Sequence, residues 1–309
     1  MLKNIKGTYS LMRILLELKS LQNAEYRLIH NYIIQGFIYN LLKDTEFAWL
    51  HSYKGFKYFN FSNIFPVEDF KIDKEYRLII SSPNKKLIRI LARKLKELKG
   101  KEIKLGSLSF ILKKIKVFDL KLRFPWETAT PIILRKGKEA ILTNGFQFYK
   151  VFLKDINILK ELGFKKEKIK IEIRNPKEIS INDLKTLDKN KFRVIKIKDV
   201  YYSFEKGDSL FQWLEDLKKQ SLLKYHLFTS SEIYFEEPLF DELEFRKEVA
   251  VVLRLKNRGE VIYIGSLWKK LSVLRKLSVS EKKFYKFLLD CGLGSLNSLG
   301  FGFINIKWK

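Results

Sequence analysis

Few side chains in this 309-residue chain are suited to chemistry: three histidines, His30, His51 and His226, and one cysteine, Cys291. A histidine with its ordinary pKa of ~6.5 can give and take protons near neutrality. None of the three sits in an H-x-x-E-H or C-x-x-C spacing, so no metal site is expected. A single cysteine cannot close an internal disulfide. The densest cluster of special residues is the stretch C-G-L-G-S-L-N-S-L-G-F-G-F at 291–303, which uses four of the fifteen glycines. It sets Gly292, Gly294, Gly300 and Gly302 around Ser295, Asn297 and Ser298. Glycine admits positive φ and close backbone approach, and bare N–H groups beside small side-chain donors are ingredients for gripping a phosphate backbone. A dinucleotide fingerprint or P-loop is excluded by order. Those motifs run strand, loop, helix, whereas here the helix-like K-K-F-Y-K-F-L-L-D enters the loop, the strand-like F-I-N-I-K-W leaves it, and no G-K-[ST] follows. A helix C-cap explains Gly292 alone.

Charge points to the kind of ligand. The 61 Lys and Arg against 35 Asp and Glu leave a formal +26, which favours a polyanion such as nucleic acid or an acidic membrane surface; the alternative is a merely soluble, lysine-rich protein, and an excess this large favours a nucleic-acid partner. Hydrophobic residues at 46% and aromatics at 14% supply two modest cores, so two domains are expected. The apolar run in residues 1–20 is broken by Arg13 and Glu17 and has no small-residue cleavage site, so it reads as a strand rather than a leader. No window approaches 18 uncharged apolar residues. A cytoplasmic protein with no membrane partner and no cofactor is the expectation.

The elements that must carry these residues follow from periodicity. Met12, Ile14, Leu16 and Leu18 alternate with Leu11, Arg13, Leu15, Glu17 and Lys19, a period of two that fits a strand with one fully buried face. Between Leu28 and Lys43, Ile34, Phe37, Ile38, Leu41 and Leu42 share one side of a helical wheel, leaving Tyr32, Gln35, Gly36, Tyr39 and Lys43 on the other. His30 falls on the core side near that helix's start, where a packing or capping role is expected. Strands at 55–62 and 76–80 precede a helix opened by Ser82, Pro83 and Asn84, which buries Leu87, Leu91, Leu95 and Leu98. Its outer stripe of Lys85, Arg89, Arg93 and Lys96 is either a solvated face or a track for a phosphate backbone. A strand at 109–117 completes β-α-β-β-α-β, the ferredoxin-like (RRM-like) order.

A second copy is expected from a strand at 128–136, a helix at 145–162, strands at 243–256 and 260–268, a helix at 279–290 with Ser280 as its candidate N-cap, and a strand at 301–308. Residues 165–240 exceed that pattern and read as an insertion holding strands I-K-I-E-I-R and F-R-V-I-K-I-K and the helix L-F-Q-W-L-E-D-L-K-K. The expected fold is thus α+β, tandem ferredoxin-like βαββαβ domains at 1–122 and 123–309 with the insertion in the second. The interleaved Y-K-G-F-K-Y-F at 53–59 reads mainly as core, and no R-G-F-G-F-V-type exposed aromatic motif exists. Binding is therefore expected to be directed at the nucleic-acid backbone. His226 lies in the insertion and receives no role.

G-L-G-S-L-N-S-L-G-F-G followed by a terminal strand resembles the glycine-rich signature of the RAMP superfamily, in particular that of the CRISPR-associated endoribonucleases that cut repeat RNA into guide units. Q-G-F-I-Y-N-L-L at 35–42 and L-H-S-Y-K-G-F-K-Y-F-N-F-S at 50–62 are similar to that family's N-terminal helix and the loop after it, and T-P-I at 130–132 matches an element opening its second domain. The resemblance implies tandem ferredoxin-like domains. It also implies a catalytic set of Tyr39, His51 and Lys57; the charge and loop chemistry read above assign the RNA surface to Lys54, Lys85, Arg89, Arg93, Gly292, Gly294, Ser295, Asn297, Ser298, Gly300 and Gly302. The implied substrate is CRISPR repeat RNA (pre-crRNA), cut without metal by the ribose 2′-OH to leave a 2′,3′-cyclic phosphate and a 5′-OH. His51 would be general base or acid, Lys57 would hold the phosphorane charge, and Tyr39 would orient the ribose or serve the second proton. Two alternatives of the same fold stay open, a non-catalytic repeat-RNA binder and a structural RAMP subunit of a CRISPR interference complex.

Overall fold

Alternating residues build the first sheet of the computed structural model, which describes residues 12–168, 171–255 and 259–307. The chain divides into two units, Met1–Ile133 with Phe204–Lys309, and Leu134–Ser203. In the first unit, β1 (Arg13–Ser20) buries Ile14, Leu16 and Leu18, and α1 (Asn31–Leu42) buries Ile34, Ile38 and Leu42, the four-residue spacing that keeps one helix stripe on the core. His30 occupies the N-cap position of α1 without a side-chain capping bond, and burial lowers its pKa. After β2 (Asn60–Phe61) and β3 (Glu75–Ser81), α2 (Lys85–Glu97) is started by Asn84, whose side chain accepts from the N–H groups of Lys86 at 3.0 Å and Leu87 at 3.1 Å. A hairpin of β4 (Glu102–Leu105) and β5 (Leu108–Phe118) closes the repeat. The strand order β2-β3-β1-β5-β4 is antiparallel throughout, and apart from the added β4 it is the ferredoxin-like order. Of the strand expected at 55–62, only Asn60–Phe61 forms a strand, with Ser62 N–H donating on to Ile79 O at 2.9 Å; the residues before it run irregularly, with Tyr58 at φ 51.

The second repeat opens with β6 (Trp126–Thr128). The second unit then comprises β7 (Arg135–Thr143), β8 (Phe148–Leu153), α3 (Asn157–Glu161), β9 (Lys177–Ile179), α4 (Ile181–Thr186) and β10 (Arg193–Tyr201). Its sheet runs β10-β7-β8-β9 over a core of its own that includes Leu142, Val151, Leu159 and Leu184. The repeat resumes with α5 (Leu210–Thr229), β11 (Glu242–Leu255), β12 (Gly259–Ser272), α6 (Val279–Cys291) and β13 (Ile304–Ile306). The order β11-β12-β6-β13 is again antiparallel and again ferredoxin-like. Within the first unit the two repeats are tied by Arg13, fully buried, which donates to Leu289 O at 2.6 Å, Ile304 O at 3.0 Å and Asn305 Oδ1 at 2.9 Å beside Asp290.

The fold class is as expected, α+β with tandem ferredoxin-like domains, but the second repeat is assembled differently from its expected elements. No helix spans 145–162. Asn144 accepts from the N–H groups of Phe146 and Gln147, making Asn144-Gly145 a hairpin turn between β7 and β8, and only Asn157–Glu161 is helical. The expected strand at 128–136 divides into β6 and β7 around Pro131. The first helix of the repeat is α5, which the sequence reading placed in the insertion at 165–240; the extra unit is instead Leu134–Ser203. Of I-K-I-E-I-R, residues 169 and 170 lie outside the described residues and 171–174 form no strand. The cap of α6 is Ser278, in a capping box with Glu281, in place of Ser280. The last strand covers only Ile304–Ile306 of the expected 301–308, whose final position is outside the described residues.

Candidate active site

Tyr39, His51 and Lys57 come together. Tyr39 lies on the polar side of α1, two turns after Asn31 and one after Gln35. His51 ends a short 3-10 turn, Ala48–His51, whose Leu50 is anchored in the core while the imidazole is exposed. Lys57 sits on the irregular segment before β2. Its Nζ donates to the Tyr39 hydroxyl at 2.6 Å and to the His51 carbonyl at 3.4 Å, and lies 4.9 Å from the Tyr39 ring centre. The His51 and Tyr39 rings meet edge to face at 5.2 Å between centroids. Burial pushes the Tyr39 hydroxyl up to about 12, with a hydrogen bond from the Ser298 side chain pulling the other way. Burial also lowers the pKa of Lys57. The result is a neutral phenol, an ammonium touching it and an open imidazole, a set able to move protons and hold negative charge.

The glycine loop reaches this set through a 3-10 turn, Asn297–Leu299. Two residues of α1 spaced by four meet it: Asn31 Nδ2 donates to Leu299 O at 2.5 Å and Gln35 Nε2 donates to Ser298 O at 2.8 Å, and Tyr39 follows one turn further along the same face. The polar stripe of the first helix is therefore the seat of the C-terminal loop.

The glycines themselves differ from the expectation of bare amides facing a ligand. Gly292, Gly294, Gly300, Gly302 and Asn297 are buried, while Ser295 and Ser298 are half-buried. The N–H groups of Gly292, Gly300 and Gly302 donate to Leu288 O, Asn297 O and Pro131 O at 2.8, 2.8 and 2.7 Å. Gly302 has φ +66, and a Cβ there would lie 1.9 Å from Leu293 O; Gly292 has φ +89, and its Cβ would lie 2.1 Å from Asn60 Nδ2. These two positions admit only glycine because the loop folds back against its own backbone and the strand after Lys57. Composition marks close approach but not what is approached, and here it is protein.

Lys54, Lys85, Arg89 and Arg93 are exposed, the last three along one face of α2, and neighbouring Lys86 pairs with Glu46 in the segment leading to His51. His226 is exposed near the end of α5. The sequence reading missed the residues that hold the site, namely Asn31, Gln35, Asn60 and, on α5, Gln220 and Lys224. Lys224 carried a signal, since it continues the buried stripe of Trp213, Leu217 and Ser221 and so places an ammonium on a core face. Among the described residues no group of three or more His, Cys, Asp or Glu forms a metal-binding cluster, and no helix is long and apolar enough to cross a membrane.

The fold defines a protein of the tandem ferredoxin-like class. The family model described as CRISPR associated protein Cas6, C-terminal, matches residues 189–306. The chain is 32% identical over 298 residues to the CRISPR-associated endoribonuclease Cas6 2 of Methanocaldococcus jannaschii, covering 95% of this chain and 99% of that one. The chain belongs to the Cas6 family of CRISPR-associated endoribonucleases. Its fold is similar to that of a solved CRISPR associated protein Cas6, at TM-score 0.58 and 22% identity over 96% of this chain and 99% of that one. It is similar also to a RAMP protein described as binding different RNA substrates, at TM-score 0.58 and 18% identity over 96% of this chain and all (100%) of that one.

Proposed function

We propose that this endoribonuclease binds CRISPR repeat RNA and cuts pre-crRNA within the repeat, in the cytoplasm and without metal, with a CRISPR interference complex as a further partner. The observation that carries the reading is the Lys57 Nζ–Tyr39 hydroxyl contact of 2.6 Å with the exposed His51 ring packed against the same tyrosine. In the proposed step the 2′-oxygen next to the scissile phosphate attacks phosphorus and loses its proton to a base. The P–O5′ bond breaks, and the departing 5′-oxygen takes a proton, leaving a 2′,3′-cyclic phosphate and a 5′-OH. His51 serves one proton transfer, as base or acid. Tyr39, neutral up to about 12, cannot be the base near neutrality, so it orients the ribose or donates the second proton. The Lys57 ammonium holds the extra charge on the phosphorane. Residues 1–122 carry this set, and residues 123–309 supply the loop that packs on Tyr39. Backbone contacts are assigned to Lys54, to the α2 stripe of Lys85, Arg89 and Arg93, and to the half-exposed Ser295 and Ser298. The test is to incubate the protein with repeat RNA in excess EDTA and analyse product ends. Cleavage with cyclic-phosphate and 5′-OH ends is expected; loss of cleavage in EDTA, or 5′-phosphate ends, overturns the mechanism.

A further inference from the structure

A lysine has three donors, and at Lys224 all three are taken by one loop. Its side chain is 0% exposed, and Nζ donates to Gly292 O at 2.8 Å, Gly294 O at 3.1 Å and Asn297 Oδ1 at 2.9 Å. None of these acceptors is charged, so the ammonium is held by dipoles alone, an arrangement that costs desolvation and has no ion-pair return. A core methionine of similar length would avoid desolvating a charge but would leave those three buried acceptors without their donor. The chain places lysine there, one turn after Gln220, whose Nε2 donates to Ser295 Oγ at 2.7 Å.

The bonds continue towards the reacting groups. With Oδ1 turned to Lys224, Asn297 directs Nδ2 to Leu293 O at 2.8 Å and Phe301 O at 2.9 Å, which pins the two ends of the loop together. Phe301 O also accepts from Asn60 Nδ2 at 3.0 Å, three residues after Lys57. The next residue, Ser298, is thereby presented to Gln35, whose Nε2 donates to its carbonyl one turn before Tyr39.

We propose that Lys224 is a positioning residue for the cleavage reaction: its buried ammonium sets the conformation of the glycine loop that Asn31 and Gln35 grip, and so fixes the face of α1 on which the Tyr39 hydroxyl meets Lys57. This rests on the cleavage reading above. It assigns the loop to ordering the catalytic set and α5 to ordering the loop.

A double-mutant cycle in single-turnover cleavage of repeat RNA at saturating protein tests it, using wild type, Lys224→Met, Tyr39→Phe and the double variant, with RNA affinity measured beside the rates. A misplacement of the kind proposed costs about 10- to 100-fold in rate. Lys224→Met should show that loss with RNA affinity within about threefold, and the loss should shrink to less than about threefold once the Tyr39 hydroxyl is gone. An equal loss in both backgrounds, or no loss with Tyr39 present, overturns the proposal and leaves a purely structural lysine. Should Lys224→Met not fold, Lys224→Gln, which keeps two donors, takes its place in the cycle, and the same two patterns of loss support or overturn the proposal. Wild type that binds repeat RNA and never cuts it removes the cleavage reading and this proposal together; wild type that cuts while the cycle is additive removes this proposal alone.

Discussion

The glycine loop and the His51 turn are built on opposite terms. The loop is buried, its glycine N–H groups at 292, 300 and 302 are paired within the protein, and a buried lysine fastens its carbonyls. The turn that carries His51 is exposed, with Leu50 as its buried anchor and backbone bonds of Leu50 to Phe47 and Ser52 to Trp49 holding it. Rigidity is thus placed behind Tyr39 and openness in front of it. On the proposed reading that division suits a large RNA: the imidazole would reach a phosphate arriving from solvent, whereas Tyr39 would hold its place beside Lys57.

This contrast can be broken at either end. The largest effect is expected on the open side, where His51→Ala should lower single-turnover cleavage by about 10²–10⁴-fold with little change in RNA affinity or melting temperature. A variant cutting at the wild-type rate would remove His51 from the reaction. Lys57→Met should cost about 10²–10³-fold, the loss typical of one charge-stabilising donor. Lys57 also sets the alkaline limit. Because burial lowers its pKa from 10.5, its charge is lost as pH rises through a value below that, and the rate should begin to fall earlier than a free lysine would dictate. Lys57→Arg, whose guanidinium stays charged, should move that limb to higher pH. Tyr39, at about 12, should contribute no rising limb below it.

On the closed side, Gly302→Ala should destabilise the fold by about 3 kcal/mol or more in chemical denaturation, since it combines a left-handed φ with backbone overlap at Leu293 O. The smallest effect has the opposite sign. Gly36 lies inside α1 with open space around its would-be Cβ, so Gly36→Ala should stabilise by about 0.5–1 kcal/mol. If both glycines respond alike, the loop is not the constrained structure described here.

How far the sequence was legible follows the same line. The alternation of Ile14, Leu16 and Leu18 and the stripe of Leu87, Leu91 and Leu95 could be read because apolar periodicity is local, and they carried the first repeat. The Asn144-Gly145 turn was equally local but was overlooked beneath an apparent helical pattern. The assignment of α5 to the repeat was not local: nothing within Leu210–Thr229 states that a separate 70-residue unit, Leu134–Ser203, stands between it and β6. The Tyr39, His51 and Lys57 set came from family resemblance, since three separated residues have no period. The structure brings them together through Lys57 Nζ. Lys224 was visible only as a charge on a buried stripe, a mismatch whose purpose appears once the loop carbonyls are seen around it.

The central claim is that the RNA's own 2′-OH is the nucleophile, served by Tyr39, His51 and Lys57 with no metal ion. Its most direct test is a repeat RNA carrying a single 2′-deoxy nucleotide at the cut site, offered to the wild-type protein in EDTA beside the all-ribose RNA. The account predicts that the all-ribose RNA is cut while the substituted RNA is bound equally well and left intact; cleavage of the substituted RNA at that position would contradict it.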